Sequence, residues 1–367
     1  MLRQDVQAER DNPPFDRVCM DGVAVASTAF DGGRRRFRLQ GTQAAGDVPH
    51  VLTTPDAAIE IMTGAVLPAG TDSVIPLEEY NLSGVELTLN AEATAEPWRN
   101  VQRRGSDSKP GVPMLTDGTR LGSAEIAVVA SAGLAEVLVS RQPRVAVIST
   151  GNELVEPGQP IADHQVRRSN AHGVAAALRL HGYSCVTDAH LLDDEALMRA
   201  RLGELLATHD TLVLSGGVSK GKFDFVPAAL KALGVAEVFY QVAQRPGRPM
   251  WFGVGPAGQL VFGLPGNPVS TLVCLIRYVL PALRAATGQQ DDGIERVATS
   301  DAISGRKMTY FMPVTFDHSA AGASLARARP PHGSGDFLAL AGTDGFIELP
   351  PQPADYPAGF VADFYRW

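Results

Sequence analysis

Cysteine is scarce in this chain of 367 residues: Cys19, Cys185 and Cys274 stand far apart and form no CxxC pair. That spacing supplies neither a disulfide framework nor a zinc knuckle, and it points to a reducing compartment. The eight histidines include no HExxH pair, the helical zinc signature of metalloproteases. Positive charge is in deficit as well. Lys and Arg number 32 against 40 Asp and Glu, a formal charge of −8, which argues against a nucleic-acid partner. Long apolar runs are missing too. The longest, Thr271 to Leu283, is interrupted by Arg277 and is too short to span a bilayer, so no membrane partner is expected. The opening MLRQDVQAERDNPPFD is charged and holds no signal-peptide apolar region. The expectation from these absences is a cytoplasmic protein.

Glycine and proline are plentiful, at 37 and 26, and the hydrophobic share of 45% is that of a globular chain with many turns and short strands. The length suggests two to four domains. From Leu2 to about Arg104 the apolar segments FRLQG, IEIMTG, SVIPLEEY and VELTLN are short and separated by Gly, Pro, Asp and Asn, which predicts small β structure. Thr119 to Val139 has helical apolar spacing broken at Gly133. From Arg144 to about Gly288 strands and helices alternate. RVAVIS, DTLVLSGG, EVFYQVA and QLVFGLPG read as strands. NAHGVAAALRLHGY with Asn170 as its cap, LLDDEALMRARLGELLATH, FVPAALKALG and the apolar Pro268 to Ala286 read as helices. Such alternation predicts a mostly parallel sheet covered by helices on both faces. After Asp291 the pattern turns to strands again: TYFMPVTF, ASLARAR and GFIELP.

Ligands of open parallel sheets bind outside the carboxyl ends of the strands. Three loops expected there are rich in glycine and polar groups: Ser149-Thr150-Gly151-Asn152-Glu153, Ser215-Gly216-Gly217-Val218-Ser219-Lys220-Gly221-Lys222, and Gly263-Leu264-Pro265-Gly266-Asn267-Pro268. Glycine lets backbone N–H groups approach an anion, and a following helix adds favourable potential. Simple turns between strand and helix would use the same residues. The second loop nearly matches a P-loop, but Phe223 stands where Ser or Thr would bind magnesium, which excludes a Walker-type NTPase. Glu153 and Asp224 at strand ends could serve a hard cation bridging phosphates; a helix-start acid and a helix cap are their ordinary alternatives. Gln241 to Pro249 offers Arg245 and Arg248 on a backbone stiffened by Pro246 and Pro249, an anion clamp or a solvated surface turn.

These segments resemble the MoeA family of molybdopterin molybdenumtransferases, also found as the E domain of gephyrin. NPPFDRVCMDGVAV (Asn12 to Val25) is similar to the family's PPFDxSxMDGYAV, and IMTGAVLPAGTDSVIPLE (Ile61 to Glu78) to its TGAxxPxGxDxVxxxE. RRGSDSKPG (Arg103 to Gly111), STGNEL, SGGVSKGKFDFV, RPGRP and GLPGNPVS follow in the family's order. The resemblance implies an α/β plus β, multi-domain fold in which a central doubly wound, mostly parallel sheet of the MogA/MoaB kind is flanked by small β-rich domains. Its implied domains are 1–14 with 104–142 (extended α+β, dimerising), 15–103 (small β-rich), 143–290 (α/β, molybdopterin-binding) and 291–367 (β-barrel-like). The implied activity is insertion of molybdate into adenylylated molybdopterin with Mg2+-dependent release of AMP, by a homodimer.

Carried over by motif position, Asp21, Asp107, Glu153 and Asp224 are the catalytic acids, with Glu153 and Asp224 holding the metal. Asp21, Asp107 and Thr63 would shape the facing side of a cleft completed by a second subunit. Ser215, Gly216, Gly217 and Ser219 would cradle phosphate, Ser149, Thr150 and Gly151 would bind substrate, and Arg245 and Arg248 would hold molybdate or a phosphate. Pro265 and Pro268 would shape the pterin-side pocket, Gly266 and Asn267 would bind substrate, and Ser334 in the last domain's HGSGDF segment is a further substrate-binding candidate. Asn152 replaces an acid usual before Glu153, Gln241 a lysine, Arg245 and Arg248 two more lysines, and Pro313 an arginine. Relatives usually carry a few tens of residues before the first signature, so the start seen here is expected to weaken the dimer or to lie downstream of the true one. Molybdopterin adenylyltransferase and a non-catalytic scaffold like gephyrin's E domain are the alternatives.

Overall fold

The computed structural model of the protein describes residues 1–217, 225–289, 293–318 and 324–367. Ser219, Asp224 and the Lys220-Gly221-Lys222 part of the P-loop-like run lie outside the described residues. The chain divides into two compact units, Met1–Val139 and Ser140–Trp367.

The first unit is built on a six-stranded sheet in the order Ser73–Pro76, Gly22–Val25, Ala57–Ile61, Arg36–Gln43, Glu86–Leu89 and Tyr80–Ser83. Successive residues of its strands feed two apolar layers, as the period of two demands: Val23, Val25 and Ile75 pack on one face, Ala24 and Val74 on the other. Gly22 begins the strand that pairs with a neighbour on each side. A Cβ there would stand 2.0 Å from the Ile75 carbonyl oxygen, so only glycine admits the Ser73–Pro76 strand this closely. The first residues return to the unit's end, with Leu2 bridging Val139 and Val6–Gln7 pairing with Pro113–Leu115. The helix expected over 119–139 is shorter, Ser123–Ser131. The Glu125 carboxylate accepts from the Gly122 amide at 2.9 Å at its start, and Gly133 with φ +80° follows its end.

The second unit contains a six-stranded sheet in the order Val186–Leu191, Val145–Thr150, Thr211–Ser215, Leu260–Leu264, Trp251–Val254 and Ala236–Tyr240. The first four strands are parallel and the last two close it as an antiparallel hairpin. One face is covered by helix Ser169–Leu180 and the long helix from Pro268, the other by Glu195–Thr208 and Val226–Ala232. This is the mostly parallel, doubly covered sheet that the alternation predicts. Val145–Thr150 and Thr211–Ser215 are buried along their whole length, which is why they read as continuous apolar runs. Val186–Leu191 lies at the edge with Thr187 and Asp188 exposed, so its sequence does not announce a strand. Leu191, expected in a helix, ends that strand, and the next helix starts after Asp194, whose side chain accepts from the Leu197 amide at 2.9 Å.

Pro268–Ala286 runs as α-helix to Cys274, as a π turn over Leu275–Val279, and again as α-helix. Among the described residues it is the one helix long and apolar enough to cross a membrane, yet more than half of it is buried. Val269, Val273, Val279 and Leu283 are fully enclosed, so packing against the sheet accounts for its composition. Beyond it, Thr309–His318, Ser324–Ala328, Glu295–Thr299, Val361–Arg366 and Gly345–Leu349 pair in that order, and the last returns to the first, closing a barrel.

Candidate functional site

The carboxyl ends of the parallel strands open into a cavity of about 340 Å³. Strand register places Ser149 directly beside Ser215, and both line it with Thr150. Gly216, at φ +91°, turns the chain so tightly that a Cβ would meet the Thr150 carbonyl and hydroxyl oxygens at 3.0 Å. Gly217 packs against the same hydroxyl. Asn170 does not cap its helix as expected: Arg168 occupies the cap position, and Asn170 lies inside the first turn. Its amide nitrogen instead donates to Ser215 Oγ at 2.9 Å and to the Gly266 carbonyl at 2.7 Å, tying two of the three glycine loops together. Because the Gly266 carbonyl can only accept, the orientation of this amide is set, with Oδ1 on the other side. Among the described residues, Ser149 Oγ, Thr150 Oγ1 and Asn170 Oδ1 are buried without a hydrogen-bond partner. A buried polar atom left unpaired costs about 1–3 kcal/mol, so three such atoms at one cavity are free to receive hydrogen bonds from a bound group.

Glu153 stands exposed on the wall of this cavity, folded back so that a Cβ on Gly151 would lie 2.4 Å from its carboxylate. Asn152 exchanges hydrogen bonds with Asp193, its amide donating to the Asp193 carboxylate at 3.4 Å and its side chain accepting from the Asp193 amide at 3.1 Å. Asp193 thus brings a carboxylate to the loop where Asn152 lacks one. It escaped the sequence reading because it follows a different strand. Arg168 also lines the cavity and was missed; it is buried between Glu156, at 3.1 Å, and Asp188.

A second cavity, of about 290 Å³, is walled by Arg245, Arg248, Pro265, Ser270 and Ser334. Asn267 lines both cavities, and its side chain donates to Ser334 Oγ at 2.7 Å. The Val269 amide donates to the Ser334 carbonyl at 3.1 Å, holding the HGSGDF segment against the first turn of the long helix that Pro268 opens. The arginines sit in the hairpin loop between Ala236–Tyr240 and Trp251–Val254. Gln244–Arg245 pairs in parallel with Thr309–Tyr310 of the barrel. That pairing turns a run that could have been a solvated surface turn into the wall of a cavity.

Three of the expected residues belong to the Met1–Val139 unit. Asp21 accepts from the Thr63 hydroxyl at 2.6 Å and from its amide at 2.7 Å, and these bonds hold its carboxyl below the usual carboxylate range. Asp107 accepts from Gln102 at 2.7 and 2.9 Å and from Ser106 at 3.0 Å, and Gln102 in turn accepts from Arg17.

Three family models match the chain: the MoeA N-terminal region (domain I and II) over residues 1–133, a probable molybdopterin binding domain over 146–285, and the MoeA C-terminal region (domain IV) over 295–367. The chain is 39% identical over 368 residues to the molybdopterin molybdenumtransferase of Synechocystis sp., covering 100% of this chain and 92% of that one. This chain belongs to the MoeA family. Molybdopterin molybdenumtransferase 2 of Mycobacterium tuberculosis is 34% identical over 376 residues, covering 98% of this chain and 90% of that one. Two solved structures of the molybdopterin biosynthesis MoeA protein from Pyrococcus horikoshii cover 100% of this chain and 91% of their own, with TM-scores of 0.77 at 29% identity and 0.80 at 24%. The MoeA fold, with its α/β domain and β-rich domains, is therefore the fold of this chain.

Proposed function

We propose that this protein acts in molybdenum cofactor biosynthesis as a molybdopterin molybdenumtransferase, taking adenylylated molybdopterin and molybdate and releasing AMP. Family membership over the full chain supports the transferase reading. The observation that carries its chemical detail is the pair of adjoining cavities that share Asn267, one floored by hydroxyls and glycines, the other walled by two arginines. A diphosphate-bridged substrate suits the first and a tetrahedral oxyanion the second, because planar guanidinium groups match oxyanion geometry. In this reading an oxygen nucleophile joins the α-phosphorus, the bridging P–O bond breaks, and AMP leaves one side while the molybdopterin phosphate keeps the bridging oxygen. Positioning and charge neutralisation supply most of the acceleration of such a step.

The residues take the following parts. Ser149, Thr150, Ser215, Gly216 and Gly217 receive phosphate oxygens, and Asn170 keeps Ser215 and Gly266 in register. Glu153 orients the attacking oxygen or holds Mg2+. Mg2+ keeps waters and takes one or two carboxylates together with substrate phosphates, so Glu153 with the substrate's phosphates would be enough to hold it. Mg2+ there would neutralise phosphate charge. Asp224 and Ser219, outside the described residues, complete the set by motif position, and Asp21, Thr63 and Asp107 serve a cleft completed in a homodimer. A cytoplasmic site of action goes with this reading. Adenylylation of molybdopterin, the competing reading, leaves residues 1–139 and the C-terminal barrel without a role.

The test is AMP release from adenylylated molybdopterin by the purified chain. Release that requires both molybdate and Mg2+ is expected. AMP formed equally without molybdate, or ATP-dependent adenylylation of molybdopterin, would overturn the reading.

A further inference from the structure

The loop bearing the two arginines is held from beneath by one buried side chain. Gln244 is 1% exposed, while Arg245 and Arg248 on either side of the turn are open to solvent. Both ends of its carboxamide are in use. The nitrogen donates to the Pro246 carbonyl at 3.1 Å and to the Gly247 carbonyl at 3.4 Å, and the oxygen accepts from the Tyr278 hydroxyl. Pro246 and Gly247 are the two residues between the arginines, so a single amide holds the peptide planes that link one guanidinium stem to the other. Gly247 leaves the turn no slack: at φ +93°, a Cβ would stand 2.6 Å from Cys274 Sγ.

Tyr278 comes from the π turn of the long helix, a local widening found mostly where function needs it. Its neighbour Arg277 is fastened to the barrel through Glu348, at 2.9 Å, which also accepts from the Tyr365 hydroxyl at 2.9 Å. The turn is thus anchored on one side to the barrel and on the other to Gln244. Burial pushes the Tyr278 hydroxyl up to about 12, so it remains a protonated donor throughout the working pH range.

We propose that Gln244 and Tyr278 are positioning residues for the oxyanion: their buried hydrogen bond presets the Arg245–Arg248 pair. This rests on the reading of the arginine-walled cavity as the oxyanion site. Groups held ready before the anion arrives lose less freedom on binding it, so the effect falls on molybdate affinity rather than on turnover.

The experiment titrates molybdate into the full chain by calorimetry and measures KM for molybdate and kcat, for Tyr278→Phe, Gln244→Met, the pair combined, and Arg245→Ala with Arg248→Ala. Each single variant at the positioning pair is expected to weaken molybdate binding and raise its KM about tenfold, the effect of one buried hydrogen bond, with kcat at saturating molybdate within about twofold of the unmodified protein. The combined variant should be no weaker than Gln244→Met alone, because Tyr278 acts only through Gln244. Loss of molybdate binding in the arginine variant alone, with folded Tyr278→Phe and Gln244→Met binding normally, would overturn the proposal and leave the oxyanion reading standing. Undiminished binding in the arginine variant would overturn the oxyanion reading itself. A fall in kcat and thermal midpoint at unchanged KM would mark a purely structural role and overturn the proposal. If Tyr278→Phe does not fold, Gln244→Met, which keeps the volume, decides alone.

Discussion

The two cavities of the Ser140–Trp367 unit meet at Asn267 and yet are made in different ways. The first is a product of secondary structure: parallel strands end together, and their register sets Ser149 beside Ser215 before any loop is considered. The second is a product of tertiary contact. Its arginines lie on a hairpin that becomes a wall only because Gln244–Arg245 joins the barrel and the Ser334 segment bonds to Asn267. Among the described residues the first is also lined by buried hydroxyls without partners, whereas the second is held by a buried amide with both ends satisfied.

Four substitutions sharpen this contrast. Glu153→Gln keeps the shape of the first cavity and removes its charge; AMP release should fall about a hundredfold or more, with far-UV circular dichroism unchanged. A fall of less than about threefold would remove Glu153 from the chemistry. Asn170→Ala frees Ser215 and Gly266 from each other, and a loss of about tenfold to fiftyfold in kcat/KM for adenylylated molybdopterin is expected from the hydrogen bonds removed. An effect on thermal midpoint alone would show that the amide merely braces the fold.

Asp210 lies at the opposite, amino end of the same strands and tests whether the contrast belongs to the cavities alone. Hydrogen bonds from Arg141, at 2.8 and 3.0 Å, and from the Arg144 amide, at 2.7 Å, hold its carboxyl well below the ordinary carboxylate range. A depressed folded-state pKa means stability that is present above the unfolded value, about 3.9, and is lost as pH falls below it. Asp210→Asn should therefore cost about 1 kcal/mol at neutral pH, a penalty that shrinks below about pH 4, with AMP release unaffected. Denaturant titrations at pH 7 and pH 3 would show it. The smallest expected effect has the reverse sign. Ser149→Ala removes a buried hydroxyl that has no partner among the described residues, so the protein should gain about 0.5 kcal/mol in stability while binding substrate less tightly. A loss of stability would show that the hydroxyl is satisfied in the native protein.

Much of the α/β unit was legible because its central strands are buried on both faces and its helices carry one apolar stripe. The edge strand Val186–Leu191 and the hairpin strand Trp251–Val254 were not, since one is largely polar and the other is only four residues long. The barrel strands Glu295–Thr299 and Val361–Arg366 were hidden for a related reason: on a barrel wall alternate residues face solvent, and each signal is short. At the site, glycine loops and the RPGRP run could be found from composition and order. Asn170, Asp193, Gln244 and Tyr278 could not, because each acts across tens of residues on a backbone brought near only by packing.

The sequence by itself determined the alternation of strand and helix, the glycine turns at strand ends and the family signatures, since all of these depend on residues close in the chain. Only the tertiary structure decided that Asn170 joins two loops instead of capping a helix, that Asn267 stands between two cavities, and that a π turn delivers Tyr278 to Gln244. These are hydrogen bonds between groups distant in sequence, and their existence depends on the relative placement of packed elements to within a few tenths of an ångström.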